Sequence, residues 1–167
     1  MKPFWVLICL LALLLCSVIM GGWGFSGFTM TSIAMDPTFP RGGIAFVSRM
    51  NPHIGRGTIV LLQVPNEENQ VVRRVVGLPG ESLEVRNGDI YINGQKLQEK
   101  YIGIQGNLPP TFDVPAPDFF GPVVVPPDSY FVMGDNRRFS RDSRVFQSVS
   151  RDNIIGVVWS ISGLFGF

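Results

Sequence analysis

The sequence predicts a mainly β domain that follows one N-terminal transmembrane helix, and three observations support this architecture. The chain has 167 residues, of which 46% are hydrophobic, so it is long enough for one domain with its own core and a membrane segment. Its start is an apolar run of helical length. The remainder holds short runs rich in Val, Ile, Phe and Thr between Gly, Pro and Asn. We expect residues 1–22 to form an anchor and residues 23–167 to form the β domain.

The anchor is predicted from charge and hydropathy. No charged side chain occurs from Pro3 to Met35, and residues 4–20 are almost purely apolar, at the short end for a spanning helix. A cleaved signal peptide is the alternative, but the run ends at Gly21 without a convincing small-x-small site. Lys2 is the one positive side chain before the helix, so the positive-inside rule predicts a cytoplasmic N-terminus. The C-terminal domain would then lie outside the plasma (or inner) membrane.

Composition excludes several classes of function. The formal net charge is +1 and the arginines are dispersed, so no basic surface predicts binding to nucleic acid. Both cysteines, Cys9 and Cys16, lie in the apolar run, where small packing residues are expected. With one histidine, His53, and no cysteine in the β domain, we predict no metal site and no cofactor.

The first half of the β domain is predicted from β-rich runs and turn residues. The apolar segment 23–33 contains too many glycines for a regular helix, and it lies either at the lipid interface or in the core. Residues 89–92 stand between two Asn-Gly pairs, which predicts hairpins. Between these segments, Gly and Pro separate three predicted strands at 44–48, 58–63 and 70–76.

The second half begins with a proline-rich segment. Residues 101–127 hold seven of the 13 prolines, which predicts a long extended loop with little regular structure. A strand at 130–133, a polar loop at 134–144 and a closing strand at 154–161 complete the predicted domain.

Three segments contain residues suited to amide hydrolysis without a metal, which needs a nucleophile, a base and donors for the oxyanion. Ser32 and Ala34 are two residues apart, so both side chains face the same way in an extended chain. Arg73 precedes a Gly-Leu-Pro-Gly turn that ends its strand. Short polar residues alternate with charges over 134–144, as in a buried polar network.

In this order, and behind one anchor, the three segments resemble those of type I signal peptidases. The most specific matches are Met35-Asp36-Pro37-Thr38-Phe39, the run from Arg74 to Gly80, Gly134-Asp135-Asn136-Arg137 and Ser140-Arg141-Asp142-Ser143-Arg144. The resemblance implies a mainly β catalytic domain against the outer membrane face and a Ser/Lys dyad that cleaves signal peptides after small-x-small sequences. It also implies that the partners are the lipid bilayer and signal-peptide or pre-protein segments.

The resemblance assigns supporting roles to four residues. Ser32 matches the hydroxyl that helps to form the oxyanion hole, and Ser140 matches the serine that orients the base. Asp142 and Arg144 match a structural ion pair.

The two positions that carry the chemistry depart from the family. Ala34 stands at the nucleophile position and has no nucleophilic atom; loss of a catalytic serine typically costs about a millionfold in turnover. Arg73 stands at the position of the basic lysine, and a guanidinium stays charged in proteins. We therefore predict a pseudoenzyme. An introduced Ser→Ala replacement would explain Ala34 but not Arg73.

Two residues are candidates to replace the dyad. In an extended chain, Ser32 lies about 6–7 Å from position 34, whereas an attacking atom must lie within about 3.5 Å of the atom it attacks. His53 belongs to a predicted surface turn, away from the three segments. We expect neither to restore hydrolysis.

Three functions remain open at this point. The first is an inactive paralogue that binds signal-peptide-like or pilin-like segments by strand addition, with an active sister peptidase as a further candidate partner. The second is an active signal peptidase I, a serine endopeptidase that removes signal peptides from exported proteins, with Ser32 as nucleophile or with altered residues. The third is a membrane-anchored structural β domain without a groove. Cleavage of a small-x-small peptide identifies the second, and saturable binding without cleavage identifies the first.

Overall fold

The computed structural model describes residues 3–22, 25–50, 53–102 and 119–160. Helix α1 (Pro3–Gly22) comes first and ends where the anchor is predicted to end. Across the four described ranges, no helix is both long enough and apolar enough to count as a membrane span. Most of the remaining regular structure is strand, which confirms the mainly β architecture.

Eleven strands and two short helical segments follow α1 in the described residues. In chain order they are β1 (Phe25–Thr29), β2 (Ile44–Ser48), β3 (Ile59–Gln63), β4 (Gln70–Gly77), β5 (Ser82–Arg86), β6 (Asp89–Ile92), β7 (Gln95–Lys96), β8 (Phe120–Val124), β9 (Ser129–Met133), α2 (Ser143–Phe146), β10 (Val149–Ser150) and β11 (Ile154–Ser160). A 3-10 turn, Arg151–Asn153, separates β10 from β11.

Two antiparallel sheets contain these strands. The larger sheet has the order β1-β2-β11-β3-β4-β9-β10, and the smaller sheet has the order β7-β6-β5-β8. In the larger sheet, Val60 on β3 lies opposite Arg73, and Ile59 lies opposite Arg74. Because successive side chains of a strand point to opposite faces, the two arginines of β4 extend to different sides of the larger sheet.

Three apolar clusters form the core. One lies on β3, β4, β9 and β11 and contains Val60, Val75 and Val132. The second joins β2, β3 and β11 to the segment after β1 through Met30, Met35 and Phe39. The third fills the smaller sheet and its contact with β9, and contains Leu83, Ile90 and Phe131. The second cluster fixes the segment that carries Ser32 and Ala34.

The hairpin that contains β6 has the turn chemistry expected from the sequence. Asn87 and Asn93 have φ values of 53° and 50°, and the glycine that follows each has a φ of 79°. Paired positive φ values suit Asn-Gly in a two-residue hairpin turn. The prediction of hairpins around 89–92 is confirmed.

Two segments differ from the sequence-based expectations. The segment 23–33 contains a strand, β1, that pairs with β2 along its whole length, and Met30 after it is only 3% exposed. Trp23 lies outside the described residues. The prediction of little regular structure over 101–127 was wrong for β8, which pairs with β5. Residues 103–118 of that loop lie outside the described ranges.

Candidate functional site

Ser32 and Ala34 lie in the turn that follows β1. Met35 is fully buried in the second core cluster, and Ala34 is 1% exposed. The N–H of Ala34 points at the Ser32 hydroxyl oxygen, 3.4 Å away. The hydroxyl assigned to the oxyanion hole and the backbone N–H at the nucleophile position therefore lie side by side.

Asn136 holds this turn from the other side. Its backbone N–H donates to the Ala34 carbonyl at 3.0 Å, and its side-chain amide donates to the Ile33 carbonyl at 3.2 Å. Two carbonyls that are not part of a sheet ladder are thus satisfied by one residue of the 134–144 segment. Asn136 fixes the backbone conformation at Ala34.

Gly134 lies where the segments that contain Ala34 and Ser140 come together. A Cβ atom on Gly134 would lie 2.2 Å from Ser140 Oγ and 2.5 Å from the Ala34 carbonyl oxygen. Both distances are far below van der Waals contact, so only glycine allows the two groups to approach this strand end. The structure thereby brings Ala34 and Ser140 together.

Asp142 and Arg144 form a buried ion pair beneath this contact. Arg144 Nε and Nη2 donate to the two carboxylate oxygens of Asp142 at 2.9 and 2.8 Å. The same carboxylate accepts the Gly134 N–H at 3.1 Å and the N–H of Arg144 at 3.2 Å. Arg144 Nη2 also donates to the Arg137 carbonyl at 2.8 Å. The pair ties the start of α2 to the strand end at Gly134.

Arg73 also contacts the 134–144 segment, through a backbone carbonyl oxygen. Its Nε and Nη2 donate to the Arg141 carbonyl at 3.1 and 2.7 Å, and its Nη1 donates to the Val72 carbonyl at 2.7 Å. Ser140 Oγ is fully buried and makes no hydrogen bond within the described residues. The hydroxyl assigned to orient a base does not bond to the residue that stands at the base position.

The neighbouring arginine, Arg74, occupies a second buried ion pair that the sequence analysis did not identify. Arg74 Nε and Nη2 donate to the two carboxylate oxygens of Asp135 at 2.8 and 2.6 Å. Thr38 donates its hydroxyl to the same carboxylate, and Gly57 accepts from Arg74 Nη1 at 2.9 Å. Because Arg74, Asp135 and Thr38 each belong to one of the matched motifs, their position inside those motifs was the available signal.

Two further residues near the site, Glu99 and Tyr101, were not identified from the sequence. Glu99 pairs with Arg137, and the Tyr101 hydroxyl donates to Glu99 at 2.5 Å. Burial, reinforced by the hydrogen bond to Glu99, raises the pKa of Tyr101 well above its ordinary value. Burial acts to lower the pKa of Arg137, but hydrogen bonding and the charge of Glu99 raise it overall. No motif contains Glu99 or Tyr101, so the sequence alone offered no signal for them.

Asp36 and His53 are two further titratable residues of the described chain. Asp36 follows the buried Met35, and burial raises the pKa of its carboxyl. His53 is exposed and lines a surface cavity of about 370 Å³ with Thr58 and Trp159, apart from the three segments. In the described part of the chain, no group of three or more His, Cys, Asp or Glu side chains is placed to hold a metal ion.

A family model and similar known proteins all identify the same family. A family model described as signal peptidase, peptidase S26, matches residues 3–162. A signal peptidase I of Bacillus amyloliquefaciens is 37% identical over 143 residues, which cover 84% of this chain and 76% of that protein. Signal peptidase I V of Bacillus subtilis (strain 168) is 31% identical over 164 residues, which cover 94% of this chain and 96% of that protein.

A solved structure agrees with the sequence comparisons. The crystal structure of a signal peptidase I from Enterococcus faecalis V583 superposes with a TM-score of 0.50 at 34% sequence identity. The match covers 64% of this chain and 97% of that chain. The sequence comparisons therefore show the family, and the solved structure supports the β fold.

Proposed function

Because this chain belongs to the signal peptidase family, peptidase S26, we propose that it binds signal-peptide-like segments without hydrolysing them. One observation carries the proposal: Ala34 stands where the resemblance expects a nucleophile, in a turn that hydrogen bonds hold. Asn136 holds the Ala34 carbonyl, and the Ala34 N–H lies beside the Ser32 hydroxyl. The Ser32 hydroxyl accepts from the Ala34 N–H and still has its own hydrogen, which can be donated to a peptide carbonyl even when no atom is present to attack it.

The residue at the base position supports the same proposal. Arg73 is 4% exposed, and its guanidinium donates to the carbonyls of Arg141 and Val72. A guanidinium does not deprotonate in proteins, so Arg73 has no lone pair with which to take a proton from a hydroxyl. With neither a nucleophile nor a base at the family positions, bound peptide would remain intact.

Strand addition is the proposed mode of binding. Within the described residues, β1 pairs with β2 on one side only and stands at the edge of the larger sheet. Met30, Ser32 and Ala34 lie in the segment that follows β1. An extended peptide can pair with a free strand edge through main-chain hydrogen bonds. A peptide bound along β1 would bring one of its carbonyls to the Ala34 N–H.

Anchoring to a membrane is the second part of the proposal. The run from Pro3 to Met35 has no charged side chain, and the apolar side chains of residues 5–15 on α1 are exposed. We propose insertion into the plasma (or inner) membrane, with the N-terminus cytoplasmic and the β domain outside. The expected result is retention of the chain in membranes after alkaline carbonate washing, and digestion of the β domain by protease added to the outer face. Release by carbonate would contradict the anchor.

Active peptidase through Ser32 is the second candidate function. The Ser32 hydroxyl beside the Ala34 N–H is the observation that favours it, because this hydroxyl lies in the turn that follows β1, the strand along which peptide is proposed to bind. The same contact argues against it, because a Ser32 oxygen that accepts from the Ala34 N–H has its hydrogen left to donate to a peptide carbonyl, which suits the oxyanion-hole role. The replacement Ser32→Ala separates the two functions.

The test uses the full chain in detergent with a fluorogenic signal-peptide substrate ending in small-x-small. Four proteins are compared: the chain itself, Ala34→Ser, Arg73→Lys and the double variant. We expect saturable binding by all four and cleavage by the double variant alone. Cleavage by the chain itself, lost in Ser32→Ala, would establish the second candidate function. Absence of binding by every protein would reject peptide binding altogether.

A further inference from the structure

The segment that leaves β7 contacts the site from the opposite sheet. β7 belongs to the smaller sheet, and Leu97 after it packs against that sheet's core. Glu99 and Tyr101 follow, but their polar contacts go to arginines of the larger sheet and of the 134–144 segment. We call Glu99 and Tyr101 together the clamp.

The first clamp contact is the ion pair of Glu99 with Arg137. Arg137 Nη1 and Nη2 donate to the two carboxylate oxygens of Glu99 at 2.8 and 2.5 Å. The side chains are 6% and 5% exposed, so solvent screens the pair little. Arg137 Nε donates in turn to the Gly134 carbonyl at 3.1 Å. Glu99 therefore holds the guanidinium that fixes the end of β9.

The second clamp contact is made by Tyr101. Its hydroxyl donates to Glu99, and the centre of its ring lies 4.0 Å from the guanidinium carbon of Arg74. A cation over an aromatic ring at this distance is attracted by the ring. Arg74 is the partner of Asp135, so Tyr101 holds the arginine that orients the Asp135 carboxylate.

Both contacts converge on Asn136. Asp135 and Arg137 are its neighbours in the chain, and each is fixed by an ion pair that the clamp touches. Asn136 itself holds the carbonyls of Ile33 and Ala34. A shift of either ion pair would move Asn136 and, with it, the turn that presents the Ala34 N–H.

We propose that Glu99 and Tyr101 are positioning residues for the peptide-binding site, and that they act through Asn136 on the turn at Ala34. Among the described residues, neither makes a hydrogen bond or ion pair with Ser32 or Ala34, so their effect is on the alignment of the Ala34 N–H and Ser32 hydroxyl. The consequence for peptide affinity rests on the proposed function, whereas the consequence for the Asn136 hydrogen bond does not. Glu99 and Tyr101 thus connect the segment after β7 to the site.

Amide hydrogen exchange of the full chain in detergent tests the clamp directly. The variants are Glu99→Gln, which keeps the shape and removes the charge, and Tyr101→Phe, which keeps the ring and removes the hydroxyl. Glu84→Gln is the matched control, because Glu84 also pairs with an arginine but on the surface. In Glu99→Gln we expect exchange of the Asn136 amide about tenfold faster, with amides of β3 and β4 unchanged. In Tyr101→Phe the change is in the same direction and smaller.

Two outcomes would overturn the clamp. One is an unchanged Asn136 amide in both variants. The other is an equal acceleration in β3, β4 and Asn136, which would show a general loss of stability instead of local positioning. Tyr101→Phe keeps the test decisive if Glu99→Gln fails to fold, because it leaves the Glu99 and Arg137 ion pair in place.

Peptide affinity is the second measurement. We expect the Kd of a labelled signal-peptide segment to rise about tenfold in Glu99→Gln and to stay unchanged in Glu84→Gln. An equal Kd in the chain and in Glu99→Gln would contradict the clamp while leaving the proposed function intact. No binding by the unaltered chain would contradict the proposed function, and the exchange of Asn136 would still decide the clamp.

Discussion

Arg73 donates two hydrogen bonds to the carbonyl oxygen of Arg141, at 3.1 and 2.7 Å from its Nε and Nη2. The residue before Arg141, Ser140, has a buried hydroxyl that makes no hydrogen bond within the described residues. The resemblance to signal peptidases assigns Ser140 to orient a basic lysine. Here the longer, forked guanidinium bonds to the neighbouring backbone carbonyl, and it links β4 to the 134–144 segment without the serine.

This contact predicts a loss of stability in Arg73→Lys. An ammonium on one flexible stem cannot reproduce a fork that serves the carbonyls of Arg141 and Val72. The contact with the Val72 carbonyl is buried and those with the Arg141 carbonyl are partly buried, so loss of a donor there costs about 1–3 kcal/mol at most in free energy of unfolding. Urea unfolding followed by tryptophan fluorescence measures the change. Arg86→Lys, at an exposed arginine, is the control and should leave the unfolding midpoint unchanged.

The same variant bears on catalysis. Arg73→Lys alone should not cleave peptide, because Ala34 still lacks a nucleophilic atom. A stability equal to that of the unaltered chain would mean that the Arg141 contact contributes nothing to folding.

Gly134→Ala is expected to damage the site and the fold together. The new Cβ would meet Ser140 Oγ at 2.2 Å and the Ala34 carbonyl at 2.5 Å, and both groups are held by buried surroundings. Overpacking of this kind costs about 1–3 kcal/mol, and relief requires Ala34 to move. We expect weaker peptide binding along with the lower free energy of unfolding.

Gly55→Ala is the matched control for Gly134→Ala. A Cβ on Gly55 would make only ordinary contact, 3.7 Å from the His53 ring. Stability and peptide affinity should both be retained in this variant. Full binding by Gly134→Ala would show that the distance between Ala34 and Ser140 is not important for the site.

The sequence predicted strands well where apolar residues alternate or cluster between turns. Residues 44–48 were predicted and observed as β2, and the Asn-Gly pairs marked both ends of β6. β1 was missed because Ser26, Gly27 and Thr29 interrupt its apolar pattern, and pairing with β2 makes it a strand. β8 was missed because Pro122 argues against a strand, but β8 is an edge strand, where proline is tolerated.

The residues of the site also fall into two groups, those that the sequence predicted and those that it did not. Motif order placed Ala34, Ser140 and Asp142 in one site, and the structure brings all three to Gly134. Glu99 and Tyr101 could not be predicted, because neither belongs to a motif and both reach the site from the other sheet. Contacts that depend on how two sheets are arranged have no local signature in the sequence.

The buried pair of Asp142 and Arg144 predicts a large effect in Asp142→Asn. The carboxylate accepts from the Arg144 side chain, the Arg144 N–H and the Gly134 N–H, whereas an amide offers one acceptor oxygen and adds donors. The variant leaves the Arg144 charge buried without its partner, which costs about 3–5 kcal/mol. Denaturant unfolding at neutral pH measures the difference. Glu84→Gln, which breaks a pair at the surface, should show no measurable change, and an equally small change in Asp142→Asn would contradict this prediction.

Tyr101 predicts a specific response to alkaline pH. Burial and the hydrogen bond to Glu99 raise its pKa above the ordinary value of 10.0. Above pH 10 the unfolded chain therefore releases this proton while the folded chain keeps it, so the free energy of unfolding falls as pH rises. The contribution of Tyr101 is complete below pH 10 and is lost as pH rises through the folded-state pKa. Tyr101→Phe should show a shallower fall just above pH 10.

Tyrosinate absorbance in the near ultraviolet measures the ionisation of Tyr101 directly. In the folded state just above pH 10, the chain and Tyr101→Phe should give the same tyrosinate signal, because Tyr101 is still protonated. In concentrated urea at high pH, the variant should lose one third of the signal, because the chain has three tyrosines. This unfolded measurement is the internal control. A larger tyrosinate signal from the folded chain than from the folded variant would show that Tyr101 ionises normally and that its hydroxyl is not held by Glu99.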